Sequence, residues 1–92
     1  MTFVYDYSPE LKDTLEKISK KHKLLYEATL KKMDEIISRD GKTIDFYKNL
    51  RNELSESKRV HVLKCYVLFF RVYKESNRIY FQKLRHHDEA YK

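Results

Sequence analysis

The stretch RVHVLKCYVLFFRVYKESNRIYFQKL, residues 59–84, decides the fold. Arg59-Val60-His61-Val62 alternates polar and apolar residues, the pattern of a strand with one face buried. Residues 66–73, YVLFFRVY, are mostly β-branched or aromatic and are strong strand formers. Lys74-Glu75-Ser76-Asn77 has the length of a hairpin turn, and its asparagine tolerates positive φ. Residues 78–84, RIYFQKL, read as a further strand. Two successive hairpins make an antiparallel meander, which needs a cover on one face.

The N-terminal half supplies that cover. Residues 2–7, TFVYDY, read as a short strand. Ser8-Pro9-Glu10 is a helix start: the serine caps, proline suits the first helical position, and glutamate suits the positive end of the dipole. Leu11, Leu15 and Ile18 then form one helical stripe, and Ser19-Lys20-Lys21-His22 reads as a break. A second helix from Lys23 carries Tyr26, Leu30, Met33 and Ile37, broadened by Leu25 and Ile36. It is expected to stop near Arg39-Asp40-Gly41, where the single glycine allows a left-handed end. The expected fold is α+β with the order β-α-α-β-β-β, a small antiparallel-rich sheet with a helical hairpin on one face. As one domain over residues 1–92, it comprises a strand (1–7), the helical hairpin (8–40), a connection (41–58), antiparallel strands (59–84) and a functional C-terminal tail (85–92).

The 92 residues suffice for one core. The longest uncharged apolar run, residues 65–70, is far below the roughly 20 residues of a membrane span. No signal peptide is visible, one cysteine excludes an internal disulfide, and a cytoplasmic location is expected. One glycine also excludes phosphate-cradling glycine loops.

Charge is unevenly placed. Residues 1–46 carry nine basic and nine acidic residues, whereas residues 47–92 carry eleven and five. The whole excess of six positive charges belongs to the second half, with His61, His86, His87 and five of the eight tyrosines. Basic residues interleaved with aromatics fit a polyanionic partner.

Strand alternation puts Arg59 and His61 on one face and Val60 and Val62 on the other. The valines are expected to meet the helices, leaving Arg59 and His61 on the uncovered face with Arg71 as a neighbour. Lys83, Arg85 and His87 share parity on leaving the last strand. Arginine neutralises phosphate, histidine moves protons near neutral pH, and tyrosine stacks on bases. Together they suit attack of an RNA 2′-hydroxyl on its own phosphodiester without a metal. No cofactor is expected. A zinc site is not expected, since Cys65, His61, His86 and His87 are the natural ligands and adjacent His86 and His87 point opposite ways. Cys65 reads as a small buried residue and His22 as a solvated one.

The element order, the helical hairpin YSPELKDTLEKISKKHKLLYEATLKKMDEIIS and the tail RVHVLKCYVLFFRVYKESNRIYFQKLRHHDEAYK together resemble the RelE/ParE superfamily of bacterial and archaeal toxins. The resemblance spans nearly the whole chain, and its most specific part is Arg85, His87 and Tyr91. It implies a ribosome-dependent mRNA endoribonuclease, silenced by a cognate RelB-like antitoxin that is acidic, folds on binding and forms a hetero-oligomer with the toxin. By resemblance the catalytic positions fall on Arg59, His61, Arg85, His87 and Tyr91. Lys48, Arg51, Lys58, Lys64, Arg71, Lys83 and His86 are candidates for contact with mRNA or ribosomal RNA. Where the family often has an arginine after the strand tyrosine, this chain has Val67. His61 and His87 with an apolar residue there resemble the histidine-based YafQ branch. The competing readings are a ParE-like inhibitor of DNA gyrase and a non-catalytic ribosome- or RNA-binding module.

Overall fold

The computed structural model describes residues 3–40, 42–44, 47–49 and 57–90. The chain runs β1 (Val4–Tyr7), α1 (Pro9–Lys21), α2 (Lys23–Ile37), β2 (Lys48–Asn49), β3 (Ser57–Val62), β4 (Tyr66–Tyr73), a 3-10 turn (Lys74–Ser76), β5 (Arg78–His86) and α3 (His87–Ala90). The sheet order is β1-β5-β4-β3-β2. β3, β4 and β5 form the expected antiparallel meander, β2 adds a two-residue antiparallel edge, and β1 lies parallel to β5 at the other edge. The first strand is four residues long, β3 begins two residues earlier than the alternation suggests, and β5 runs on to His86.

Local chemistry fixes the boundaries. Ser8 caps α1, its hydroxyl accepting from the Leu11 N–H at 3.0 Å. Asn77 takes the left-handed conformation, φ 53°, that lets the chain turn into β5. The break between α1 and α2 is a single residue, His22, because Ser19, Lys20 and Lys21 complete the last turn of α1. Its Nδ1 accepts from the Leu25 N–H at 3.4 Å and its ring lies edge-on to Tyr66, so it is a capping residue and not merely solvated. The glycine expected to stop α2 lies outside the described residues.

The core sits between the helices and one sheet face. Leu11 and Leu15 of α1 meet Val62, Leu68, Phe70, Val72, Ile79 and Phe81 of the sheet. Truncating Phe70 or Phe81, both fully buried, costs about 3–5 kcal/mol. The buried line of α2 is Leu25, Thr29, Met33 and Ile36, one residue round from the expected stripe. Leu30 is 40% exposed, whereas Thr29 is fully buried because its hydroxyl donates to the Leu25 carbonyl at 2.8 Å. Hydrophobicity alone favours Leu30; a satisfied hydroxyl reverses the order.

A bulge in β5 sets the geometry of the site. Phe69 pairs with Lys83, but the next residue, Phe70, pairs with Phe81, so Gln82 is the extra residue. Ile79 and Phe81 face the core before the bulge and Leu84 after it. Lys83 and Arg85 are therefore turned to the face opposite the helices. Ser8 clamps this point: its N–H donates to the Phe81 carbonyl at 2.9 Å and its hydroxyl to the Gln82 carbonyl at 2.5 Å.

Candidate active site

Register across the meander assembles the outer face in rows. His61, Val67 and Arg85 lie side by side, as do Arg59, Phe69 and Lys83, and beyond them Ser57, Arg71 and Tyr80. Val67 and Phe69 are buried although they point away from the helices. They form an apolar floor flanked by cationic residues, and the Lys83 Nζ stands 5.1 Å from the centre of the Phe69 ring. Arg78 joins the same face through its pairing with Tyr73. Arg59 and His61 thus share the uncovered face with Arg71, and the register brings Lys83 and Arg85 to the same face.

The tail brings the second histidine to the first. At the end of β5 the chain turns into α3, and the His87 ring stacks on His61 with centroids 5.9 Å apart and planes 25° apart. Both rings are exposed. The His87 N–H donates to the Cys65 carbonyl, which joins the tail to the turn between β3 and β4. That turn needs a left-handed residue, supplied by Leu63 at φ 54°. Cys65 is exposed, contrary to the buried position expected, because it sits in the turn and not in the strand that follows. Lys64 is exposed beside it.

Arg85 has a partner that sequence spacing does not reveal. Its Nη2 lies 2.5 Å from Glu10 Oε2 in the first turn of α1, with both side chains partly exposed. Glu10 is 75 residues away in sequence, and the pairing of β1 with β5 together with the Ser8 clamp on the β5 bulge makes the two neighbours. From its place in the sequence, Glu10 shows only a fit to the positive end of the helix dipole.

Two of the expected RNA-contacting residues are elsewhere. Lys58 shares parity with Val60 and Val62 and is 1% exposed, inside the core between the sheet and the connection. Its Nζ donates to the Tyr47 carbonyl at 3.2 Å, so it is a structural lysine that RNA does not reach. His86 pairs with Tyr66 on the helical side of the sheet, away from His61 and His87, and its ring packs edge-on against Tyr66. Lys48 lies in register with Arg59. Arg51 and Tyr91 fall outside the described residues.

Near the base of the sheet, Tyr47, Glu35 and Arg39 form a polar cluster. The Tyr47 hydroxyl donates to Glu35 Oε2 at 2.6 Å and accepts from Arg39 Nε at 2.9 Å. That bond lowers the Glu35 pKa, and burial, with the same carboxylate, pushes the Tyr47 phenol up to about 12. This cluster ties Tyr47 to the C-terminal end of α2, and the Tyr47 ring packs edge-on to Phe70 on the core side of the sheet.

A helical hairpin packed on one side of a mixed sheet is an architecture this chain shares with solved RelE toxins. A doubly substituted form of E. coli toxin RelE in the free state superposes with a TM-score of 0.72 at 17% identity, over 99% of this chain and 88% of that one. RelE from the Pyrococcus horikoshii RelE–RelB complex gives 0.68 at 17% identity, over 98% of this chain and all of that one. No protein-family model matches the chain. A Methanocaldococcus jannaschii protein named "Putative toxin RelE4" is 42% identical over 84 residues, 91% of this chain and 85% of that protein. The chain belongs to the RelE/ParE-like toxin superfamily.

Proposed function

We propose that this protein is the toxin of a toxin–antitoxin pair and a ribosome-dependent mRNA endoribonuclease. The observation that carries the reading is the stacked pair His61 and His87, standing beside Arg85 across the buried floor of Val67. Two imidazoles side by side can serve as general base and general acid in one place. Strands lie about 4.8 Å apart, so His61 and Arg85, flanking β4, are separated by about 10 Å at their backbones.

In the proposed reaction the 2′-hydroxyl attacks the adjacent phosphorus in line. The new P–O2′ bond forms as the P–O5′ bond breaks. One histidine takes the 2′-hydroxyl proton and the other gives a proton to the departing 5′-oxygen. Arg59 and Arg85 neutralise the negative charge that builds on the phosphoryl oxygens. Lys83, Arg71 and Lys64 draw the RNA backbone to the face, and Tyr91 is a candidate to stack on a base. The reaction is proposed to need no metal, and the site of action to be the cytoplasm.

The inhibitor is proposed to be an acidic, RelB-like antitoxin that folds onto this cationic surface and forms a hetero-oligomer. Primer extension on a defined mRNA, with and without translating ribosomes, tests the function. Cuts at codon positions only when ribosomes are present are expected. Folded protein that cuts under neither condition would favour a ParE-like gyrase inhibitor or a binding module.

A further inference from the structure

We propose that His86 and Tyr66 are positioning residues that hold the tail so that His87 meets His61. The proposal rests on the reading of those two histidines as the reactive pair. α3 has only four residues, too few to be stable by itself. Its start must be held by neighbours, and the structure shows which.

Three contacts hold it. The His87 N–H donates to the Cys65 carbonyl. The Asp88 N–H donates to His86 Nδ1 at 3.2 Å. The His86 ring then lies edge-on to Tyr66, with centroids 5.3 Å apart and planes at 81°. His86 Nδ1 is also 3.7 Å from Asp88 Oδ2, too long for a hydrogen bond. In the neutral ring this backbone contact makes Nδ1 the acceptor and leaves the proton to Nε2.

The brace continues inward. Tyr66 lies edge-on to His22, with centroids 6.0 Å apart, and His22 caps the start of α2. The tail is thus tied through two aromatic contacts to the junction of the helical hairpin. His86 and His87 are consecutive and lie on opposite sides of the sheet end. Seating the His86 ring on Tyr66 fixes the path of the chain that carries His87. Misplacement of a reacting group by about 1 Å costs up to about a hundredfold in rate, so the brace bears on turnover and not on RNA affinity.

The test compares His86→Leu, His86→Asn and His86→Gln in the full chain. Asparagine places an acceptor close to the position of Nδ1, whereas glutamine carries it one methylene further. Nuclear Overhauser contacts between the His61 and His87 rings are recorded in the free protein. Cleavage on programmed ribosomes gives kcat and KM. His86→Leu and His86→Gln are expected to lose the inter-ring contacts and about tenfold to a hundredfold in kcat, with KM within about twofold. His86→Asn keeps the acceptor but not the ring seated on Tyr66, and is expected to retain more of both than His86→Gln or His86→Leu. If His86→Leu does not fold, the Asn and Gln pair decides. Retained ring contacts and turnover in His86→Gln would overturn the proposal. So would a raised KM with the ring contacts intact, which would make His86 an RNA ligand. Absence of cleavage by the wild type would refute the nuclease reading, while the ring contacts would still test the brace.

Discussion

Replacing Glu10 by glutamine releases Arg85 from its carboxylate without changing the size of the side chain. Both partners are partly exposed, 39% and 48% of their side chains, so the ion pair is worth about 0.2–1 kcal/mol and not more. Glu10 also sits in the first turn of α1, where a negative charge adds about 0.3–1 kcal/mol through the helix dipole. Stability is therefore expected to fall by about 0.5–2 kcal/mol in urea denaturation. RNA binding is expected to move the other way. A phosphate approaching Arg85 must displace Glu10 or share the guanidinium with it, and it is repelled by the carboxylate. Removing that competition is worth up to about 1 kcal/mol, or about fivefold in Kd. Fluorescence anisotropy with a short RNA carrying a 2′-deoxy sugar at the cut site measures binding without cleavage. The gain is expected to shrink at high salt, where exposed charges are screened. Weaker RNA binding in Glu10→Gln would refute the reasoning, because it would mean that Glu10 orients Arg85 for phosphate and does not withhold it.

Further substitutions separate structural charges from functional ones. Lys58→Met is expected to cost about 1–3 kcal/mol in denaturation, since the Tyr47 carbonyl loses a buried donor, and to leave RNA affinity and its salt dependence unchanged. Lys83→Ala, on the outer face, is expected to lower the slope of log affinity against log salt by about 0.7, the value for one phosphate of single-stranded RNA. Ser8→Ala removes a helix cap and one tie to the β5 bulge, so a loss of about 1–3 kcal/mol is expected, with Arg85 drifting from Glu10. The Glu35 carboxyl titrates below its ordinary value of 4.5 when folded, chiefly because Tyr47 donates to it. Its contribution is fully present above that value and is lost as pH falls through the lowered one. Glu35→Gln is therefore expected to flatten the acid limb of a stability–pH curve and leave the curve near pH 7 to 8 unchanged in slope.

The meander was legible because residues 59–84 combine alternation, β-branched and aromatic residues and a turn asparagine, each a local signal. The helices were legible for the same reason, through Ser8, Pro9 and the apolar stripes. What escaped was set by tertiary contact. Lys58 reads as a surface charge in any strand, yet its parity with Val60 and Val62 already placed it on the core side. That clue outweighs the charge only where a buried acceptor such as the Tyr47 carbonyl exists, and no sequence pattern announces one. Thr29 displaced Leu30 from the core by bonding to its own helix. The parity of Lys83 and Arg85 was legible, but the bulge at Gln82 that aims them outward was not, since glutamine carries no bulge signature. The histidine pair was half legible: His61 and His87 were both singled out by residue type, while their stacking depends on the tail folding back to the Cys65 carbonyl.

The most direct test of the histidine pair is the chemistry of the cut ends, read with wild type, His61→Ala and His87→Ala on the same programmed ribosomes. The wild type is expected to leave a 2′,3′-cyclic phosphate upstream and a 5′-hydroxyl downstream. Each substitution is expected to slow cleavage by about 10²–10⁴-fold while the circular dichroism spectrum is unchanged. A 3′-hydroxyl end, or cleavage undiminished in both variants, would contradict the assignment of His61 and His87 as acid and base.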